Sequence, residues 1–388
     1  MTERLFYEDS HLDSFTAEVT ACVAKGGSYG VVLDRTAFFP EGGGQYADTG
    51  FLNALEVMDV QEADNEIYHF LTQPLEVGEK VHGRINASQR FIKMQQHSGE
   101  HIVSGLVHKH FGFDNVGFHL GTDESTLDFN GFLTEENLRK IEQEANEAVV
   151  SNRKIEIFYP SQEERAELEY RSKIQIDTDL RIVRIPGYDV CACCAPHVVY
   201  TGEIGLIKLV SASKYKGGTR VHMLCGFRAL EDYNKKEKNI TEISALLSAK
   251  PYETADAVRH VQKELMDVKQ KGISFQNKYL NLKFSYIDQG VGHFLFFDDP
   301  MDMNLVRKYI NEGMNHCDGI CGAFIGNDKN GYNYILGSKT IDLRNLLKEF
   351  HQMFPGKGGG RPEMVQGSVA GDKNQLQQYI NQIPIPTP

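Results

Sequence analysis

The chain has 388 residues and carries 41 Lys and Arg against 53 Asp and Glu, a formal charge of −12. That balance argues against a nucleic-acid binder working through an overall positive field, though not against a local basic groove. The length suits two or three domains, each with its own core. The seven cysteines lack framework spacing and read as reduced thiols, the start MTERLFYED lacks an apolar signal segment, and no run approaches a membrane span. The expected location is cytoplasmic.

Residues 1–85 read as strands and turns. FTAEVTACVAKGG, SYGVVLDRTAFF and FLNALEVMDVQ alternate or cluster apolar residues between glycine-rich turns, which suits a small β-barrel or twisted sheet. PEGGGQYADTG, residues 40–50, has no helical pattern after it and so is not read as a phosphate loop; its glycines instead permit a tight backbone approach.

Residues 86–240 read as α+β, helices packed on an antiparallel sheet. A helix is expected over 86–111, a strand around STLDF, a helix from Thr134 capped ahead of Glu135 and Glu136, and strands in KIEIFYP, LRIVRIP and GEIGLIKLV. Within the first helix, QQHSGEHI places His97 and His101 at i and i+4, on one face about a turn apart. Far along the chain, CACCAPHV supplies Cys193 and His197, with Pro196 between them breaking regular structure and Gly187 and Gly202 flanking the segment. Together they offer a mixed N/S donor set that suits Zn2+. Taken alone, such a histidine pair is more often a pair of satisfied core or surface residues than a pair of ligands. Four protein ligands usually close a structural site, whereas a catalytic zinc keeps one position for water, and spacing does not decide between them. The stretch from Lys208 to Lys238 holds Lys208, Lys214, Lys216, Arg220, Arg228, Lys235, Lys236 and Lys238 against Glu231, Asp232 and Glu237: a basic groove or a solvated face.

From Val258 the apolar residues Val258, Val261, Leu265, Val268, Phe275, Tyr279 and Leu282 follow 3,4 spacing, with Gly272 at the weak seam position. That stripe predicts a long helix or helical hairpin over 241–284, linking two domains and offering a dimer seam, or else lying on its own domain. Residues 285–388 alternate strands (HFLFFD, GAFIG, NYILGS) with helices (MNLVRKYINEGM, DLRNLLKEFHQ), a small α/β domain. GKGGGRPEMVQGS, 356–368, reads as a flexible loop whose Lys357 and Arg361 suit phosphate.

The order of these pieces resembles the long form of the alanyl-tRNA editing proteins, freestanding relatives of the editing half of alanyl-tRNA synthetase. TAFFPEGGGQYADTG is similar to the family's N-terminal glycine-rich signature, HSGEH to its first zinc pair, CCAPHV to its second, and GKGGGRPEMVQGS to its C-terminal DHHA1-type domain. The chain departs from the family in Cys194, Ala195 and Pro196, where two glycines and a threonine often stand. The Cys-x-Pro-His form also resembles the editing domain of bacterial threonyl-tRNA synthetase, which lacks both the GGGQ barrel and the GKGGGRP domain. The domains expected are 1–85, the glycine-motif barrel; 86–240, the zinc editing domain; 241–284, the helical linker; and 285–388, the C-terminal α/β domain. With no aminoacylation core before residue 1, the chain is expected to edit but not to charge.

The resemblance implies hydrolysis of the 3′ aminoacyl ester of mischarged alanine tRNA, chiefly with serine and secondarily with glycine. Zinc held by His97, His101, Cys193 and His197 would position and polarise the ester, or lower the pKa of a bound water to about 7. Serine has to be accepted and the smaller alanine refused, which calls for a hydrogen-bonding group aimed at the serine hydroxyl. Thr36 is the first candidate and Gln45 the second. Expected tRNA contacts are Lys214, Lys216, Arg220, Lys357 and Arg361, and a homodimer through the linker and C-terminal domain is envisaged. HSGEH also fits H-x-x-E-H, which would make Glu100 the general base of a zinc peptidase and require a carboxylate as third ligand. A non-enzymatic tRNA-binding module with a structural zinc is the remaining alternative.

Overall fold

The alternation in SFTAEVTACVAK forms the strand Ser14–Lys25, which buries Phe15, Ala17 and Val19 and exposes Thr16, Glu18 and Thr20. A register shift at Val19/Ala21 lets this one strand pair first with Lys80–Ile85 and then with Ser28–Leu33. Seven strands join in the order Leu55–Val57, Gly50–Leu52, Lys80–Ile85, Ser14–Lys25, Ser28–Leu33, Glu66–Leu71, Asp59–Ala63. The two edge strands are successive in the chain and meet at Met58, whose N–H donates to the Phe70 carbonyl at 3.0 Å, so the sheet is nearly closed into a barrel. Phe15, Val31, Leu33, Phe38, Leu52, Ile67 and Leu71 fill it.

The computed structural model describes residues 1–121, 124–172, 180–285 and 291–386. They divide into two compact units, Met1–Glu242 and Ile243–Pro388. In the first, the helix Ala87–Phe111 follows the barrel, and behind it stand two antiparallel sheets. One orders Asn115–Leu120, Ser125–Phe129, Gly218–Cys225, Ile207–Tyr215; the other orders Glu156–Phe158, Ile182–Ile185, Asp189–Ala192. The helix Glu135–Val150 starts from Thr134, which forms a capping box with Asn137. The GEIG part of the strand expected in GEIGLIKLV is instead a 3-10 turn, Thr201–Ile204, and the strand starts at Ile207. Met94, Ile102, Val103, Leu106, Ile141, Val183 and Val221 share the core of this region.

The heptad stripe lies on a single helix, Thr254–Ser285, preceded by the helix Gly226–Leu247. Val258, Val261, Leu265, Val268, Phe275, Tyr279 and Leu282 on it are all exposed. The C-terminal sheet orders Phe294–Asp298, Cys321–Asn327, Gly331–Gly337, Met364–Val369, Gly356–Arg361. Only its first pair is parallel; the other three are antiparallel, so the unit is a mixed sheet with helices rather than a wound α/β domain. GKGGGRPEMVQGS is not a loop: Gly356–Arg361 and Met364–Val369 form a hairpin that turns at Pro362 and Glu363. Glycine is required there. A Cβ on Gly358 would stand 2.0 Å from the Tyr334 hydroxyl. Among the described residues, no helix is long and apolar enough to cross a membrane.

Candidate metal centre

The helix Ala87–Phe111 begins where the Asn86 side chain accepts from the Gln89 N–H at 3.2 Å and ends at left-handed Gly112. Its middle is unusual in burying polar residues, which remain stable only because each finds a partner. Gln96 bonds both the N–H and the carbonyl of Cys225 at 2.8 Å, and Gln95 bonds the Glu203 carbonyl at 2.9 Å. This helix supplies His97 and His101, while Cys193 and His197 come from the segment directly after the strand Asp189–Ala192. The Arg181 guanidinium fixes that segment, donating from Nη1 to the carbonyls of Cys193 (2.7 Å) and Ala195 (3.1 Å).

One donor atom from each of His97, His101, Cys193 and His197 lies within 4.8 Å of every other. Cys193 Sγ is 3.5 Å from His97 Nε2 and 3.4 Å from His197 Nε2. A tetrahedral ion with bonds of about 2.0–2.1 Å to nitrogen and about 2.3 Å to sulfur sets edges of roughly 3.3–3.7 Å, so the donor set fits such an ion. All three imidazoles are held through the other ring nitrogen. His97 Nδ1 faces Gln45 Oε1 at 3.2 Å, His101 Nδ1 faces Asp189 Oδ2 at 2.9 Å, and His197 Nδ1 faces Ser98 Oγ at 3.0 Å. Donation from each Nδ1–H leaves each Nε2 lone pair directed at the common point, as outer partners of metal ligands do. Asp189 is itself gripped by Arg171, Nε to Oδ1 at 2.7 Å and Nη2 to Oδ2 at 2.9 Å.

The electrostatics agree with a thiolate and imidazoles. Burial pushes the Cys193 thiol up, but His97 and His197 beside it bring it well below its ordinary value. Burial lowers His197 to about 3, against the pull of the Cys193 thiolate. His101 is raised despite burial because it bonds the Asp189 carboxylate, which is lowered in turn by His101 and Arg171. The other two thiols of the trio differ: burial pushes Cys191 and Cys194 each up to about 11.

A cavity of about 780 Å³ opens onto His97, His101 and Cys193, three of the four donors, and is lined also by Arg4, Tyr7, Gly43, Glu100, Arg181 and Cys194. Glu100 is buried there, its Oε1 accepting from Ser104 Oγ at 2.8 Å and Asn115 Nδ2 at 2.5 Å. The glycine-rich segment makes the tight backbone approach its glycines permit, and it does so beside the donors. A Cβ on Gly44, at φ +80°, would stand 3.0 Å from the Phe118 ring, and the Leu120 N–H bonds the Gly44 carbonyl at 3.3 Å. That contact places Gln45 against His97.

Thr36 does not line the cavity. Its hydroxyl is fully buried, 2.8 Å from His69 Nε2, and accepts from the Phe38 N–H at 3.1 Å. His69 Nδ1 stands 3.0 Å from the Val31 carbonyl, and burial lowers this imidazole to about 4. An imidazole depressed below its ordinary 6.5 is neutral in the fold, so the unfolded chain binds the extra proton first. The stability present above pH 6.5 is therefore lost as pH falls from 6.5 towards 4, by about 3 kcal/mol in all at about 1.4 kcal/mol per pH unit. Urea titrations at pH 7.5 and 4.5 should show that loss as the difference between the wild type and a His69→Gln chain, whose amide does not titrate. Parallel pH dependence in the two chains would refute it.

The five basic residues fall in two places. Lys214, Lys216 and Arg220 stand at the hairpin of Ile207–Tyr215 and Gly218–Cys225, where Arg220 bonds Asp128 through two nitrogens at 2.6 and 2.7 Å and stacks 3.7 Å over the Tyr215 ring. Lys357 and Arg361 lie on the glycine strand of the second unit, both exposed, two residues either side of Gly359 and hence on one face with it. Sequence reasoning missed Asp189, Arg171, Ser98 and Arg181, none of which carries a spacing signal.

Three family models match: tRNA synthetases class II (A) at residues 2–89, the threonyl and alanyl tRNA synthetase second additional domain at 180–222, and the DHHA1 domain at 287–383. Among curated proteins, the chain is 32% identical to an alanine–tRNA ligase of Ignicoccus hospitalis, over 93% of this chain and 40% of that protein. It is 28% identical to the alanyl-tRNA editing protein AlaX-L of Pyrococcus horikoshii, over 97% of this chain and 96% of that one. An alanine–tRNA ligase of Halobacterium salinarum is 33% identical over 69% of this chain and 30% of its own length. The chain thus spans less than half of the ligases it matches and nearly the whole of the editing protein. With its three family segments in the same order as its glycine signature, donor cluster and C-terminal hairpin, the chain belongs to the long-form alanyl-tRNA editing proteins.

Proposed function

We propose that the chain is a trans-editing hydrolase that removes serine, and secondarily glycine, from mischarged alanine tRNA, using Zn2+ held by His97, His101, Cys193 and His197. The observation that carries this reading is the convergence of four donors within 4.8 Å of one another, three of them facing a cavity, in a relative of an alanyl-tRNA editing protein. Bound there, zinc would polarise the ester or lower the pKa of a water. The chain's own residues hold the three imidazoles through their Nδ1 atoms, bring the Cys193 thiol well below its ordinary value, and set Gln45 against His97. The test is release of serine from seryl-tRNA(Ala) by the purified chain, with alanyl-tRNA(Ala) left intact; absence of serine release under metal-replete conditions rejects the proposal. The peptidase alternative is disfavoured because the donors that converge with His97 and His101 are Cys193 and His197, with no carboxylate among the four.

For the tRNA, the reading assigns phosphate contacts to Lys214, Lys216, Arg220, Lys357 and Arg361. The exposed stripe of Thr254–Ser285 would seat a second copy. Lys357→Ala with Arg361→Ala is expected to weaken tRNA binding and to flatten the plot of log affinity against log salt by roughly 1–2. Turnover at saturating substrate should stay near wild type. An unchanged salt slope, measured by filter binding from 50 to 200 mM salt, removes that assignment.

A further inference from the structure

Arg90 and Arg181 are buried in the first unit and Arg171 partly so, and two of the three have carboxylates. Arg90 bonds Asp48, and Arg171 bonds Asp189. Arg181, only 5% exposed, has no carboxylate partner among the described residues. Its Nη1 is spent on the carbonyls of Cys193 and Ala195, and its Nε is buried with no partner among the described residues. A buried cation left unpaired is costly unless something else meets its charge. What meets it here is partial: the Tyr7 ring lies 4.7 Å below the guanidinium, and Arg4 approaches the same ring at 6.0 Å. Tyr7, Arg4 and Arg181 all line the cavity that also faces His97, His101 and Cys193. Burial raises the Tyr7 phenol to about 12, so it keeps its proton and can donate. Arg4 holds Glu62 at 2.5 Å, yet only one of its nitrogens is used there. The cavity wall therefore gathers two guanidinium groups and a phenol in a chain of net charge −12.

We propose that Arg181, Tyr7 and Arg4 form an anion subsite that takes the phosphodiester on the 5′ side of the substrate's terminal nucleotide. This rests on the proposed deacylase reading and adds to it a means of holding the tRNA end beside the metal. Arg181 is tied to the backbone of Cys193 itself, so a phosphate on it sets the ribose, and with it the ester, close to the donor cluster. A guanidinium presents paired N–H groups to phosphate oxygens, and a buried one does so with little competition from water. An α-ammonium group would be repelled from the same wall, which turns the amino acid away from it.

The test uses two stable analogues, 3′-deoxy-3′-serylamido-adenosine with a 5′-phosphate methyl ester and the same nucleoside with a free 5′-hydroxyl, bound to zinc-loaded full-length protein by calorimetry. The wild type is expected to prefer the phosphorylated analogue by about ten- to a hundredfold, the range of one charge-assisted hydrogen bond. Arg181→Met should abolish that preference. Arg4→Met, which touches no ligand carbonyl, should reduce it with zinc content unchanged. Equal binding of both analogues by the wild type overturns the subsite, as does a preference that survives both substitutions. Free serine serves as a third ligand: if Arg181→Met weakens serine and not the phosphate preference, the group reads the product carboxylate and the proposal fails. Serine release from seryl-tRNA(Ala) is measured separately, so loss of the subsite and loss of the deacylase reading remain distinct results.

Discussion

Cys193→Ala is expected to leave less than a tenth of the wild-type zinc in the purified chain and to abolish release of serine from seryl-tRNA(Ala). The thiolate is the one anionic donor of the four, and it sits 3.4–3.5 Å from two imidazole nitrogens, along two edges of the presumed tetrahedron. Its removal leaves His97, His101 and His197 around a point with no negative charge among the donors. His97→Ala should do the same with the thiolate kept. Cys191→Ala and Cys194→Ala are the controls. Both thiols are held protonated by burial and neither belongs to the four-donor group, so their variants should keep stoichiometric metal by elemental analysis. Cys191 does lie near His101 and Asp189, but Arg171 already occupies that carboxylate with two hydrogen bonds. Zinc lost from Cys194→Ala and retained by Cys193→Ala would reassign the ligand.

What the sequence makes legible here is chemistry that depends on local spacing. His97 and His101 share a helix face because the helix repeats every 3.6 residues, and nothing distant alters that. Cys193 stands out from its trio because it precedes His197 by one helical-turn length, though the segment is not helical. Asp189 and Arg171 were invisible because their role arises from a bridge pairing Arg171 with Cys191, a tertiary contact with no sequence period. The glycine hairpin was misread for a different reason. Glycine has low strand propensity on its own, but the Tyr334 hydroxyl and the neighbouring strand backbone leave no room for a Cβ at Gly358, so packing overrides propensity. Thr36 was chosen for its place beside the glycine-rich segment; its hydroxyl instead faces into the barrel and His69.

That placement moves attention to Gln45 as the group that reads the serine hydroxyl. Like Thr36 it is fully buried and does not itself line the cavity, but its Oε1 bonds His97, which does, and its buried Nε2 has no hydrogen-bond partner among the described residues, a donor left open directly behind the cavity wall. A donor that a serine hydroxyl satisfies and an alanine methyl covers and leaves bare can separate the two by about 10⁴ or more, which a pocket cannot do by size when the rejected residue is the smaller; glycine, without a methyl, leaves room for a water to meet the donor. Gln45→Leu is therefore expected to act twice. Losing the outer partner of His97 should weaken zinc binding by about 10–100-fold. With zinc restored to saturation, serine release should still be slower by about 10² or more, whereas glycine release, which offers no hydroxyl, should be nearly unaffected. The ratio of the two rates is the decisive measurement: if serine and glycine release fall together, Gln45 only supports His97. Thr36→Val is the companion variant. It leaves His69 Nε2 without its partner and should cost about 1–3 kcal/mol of stability. Slowed serine release by Thr36→Val at full zinc occupancy, with glycine release unchanged, would return the reader's role to Thr36.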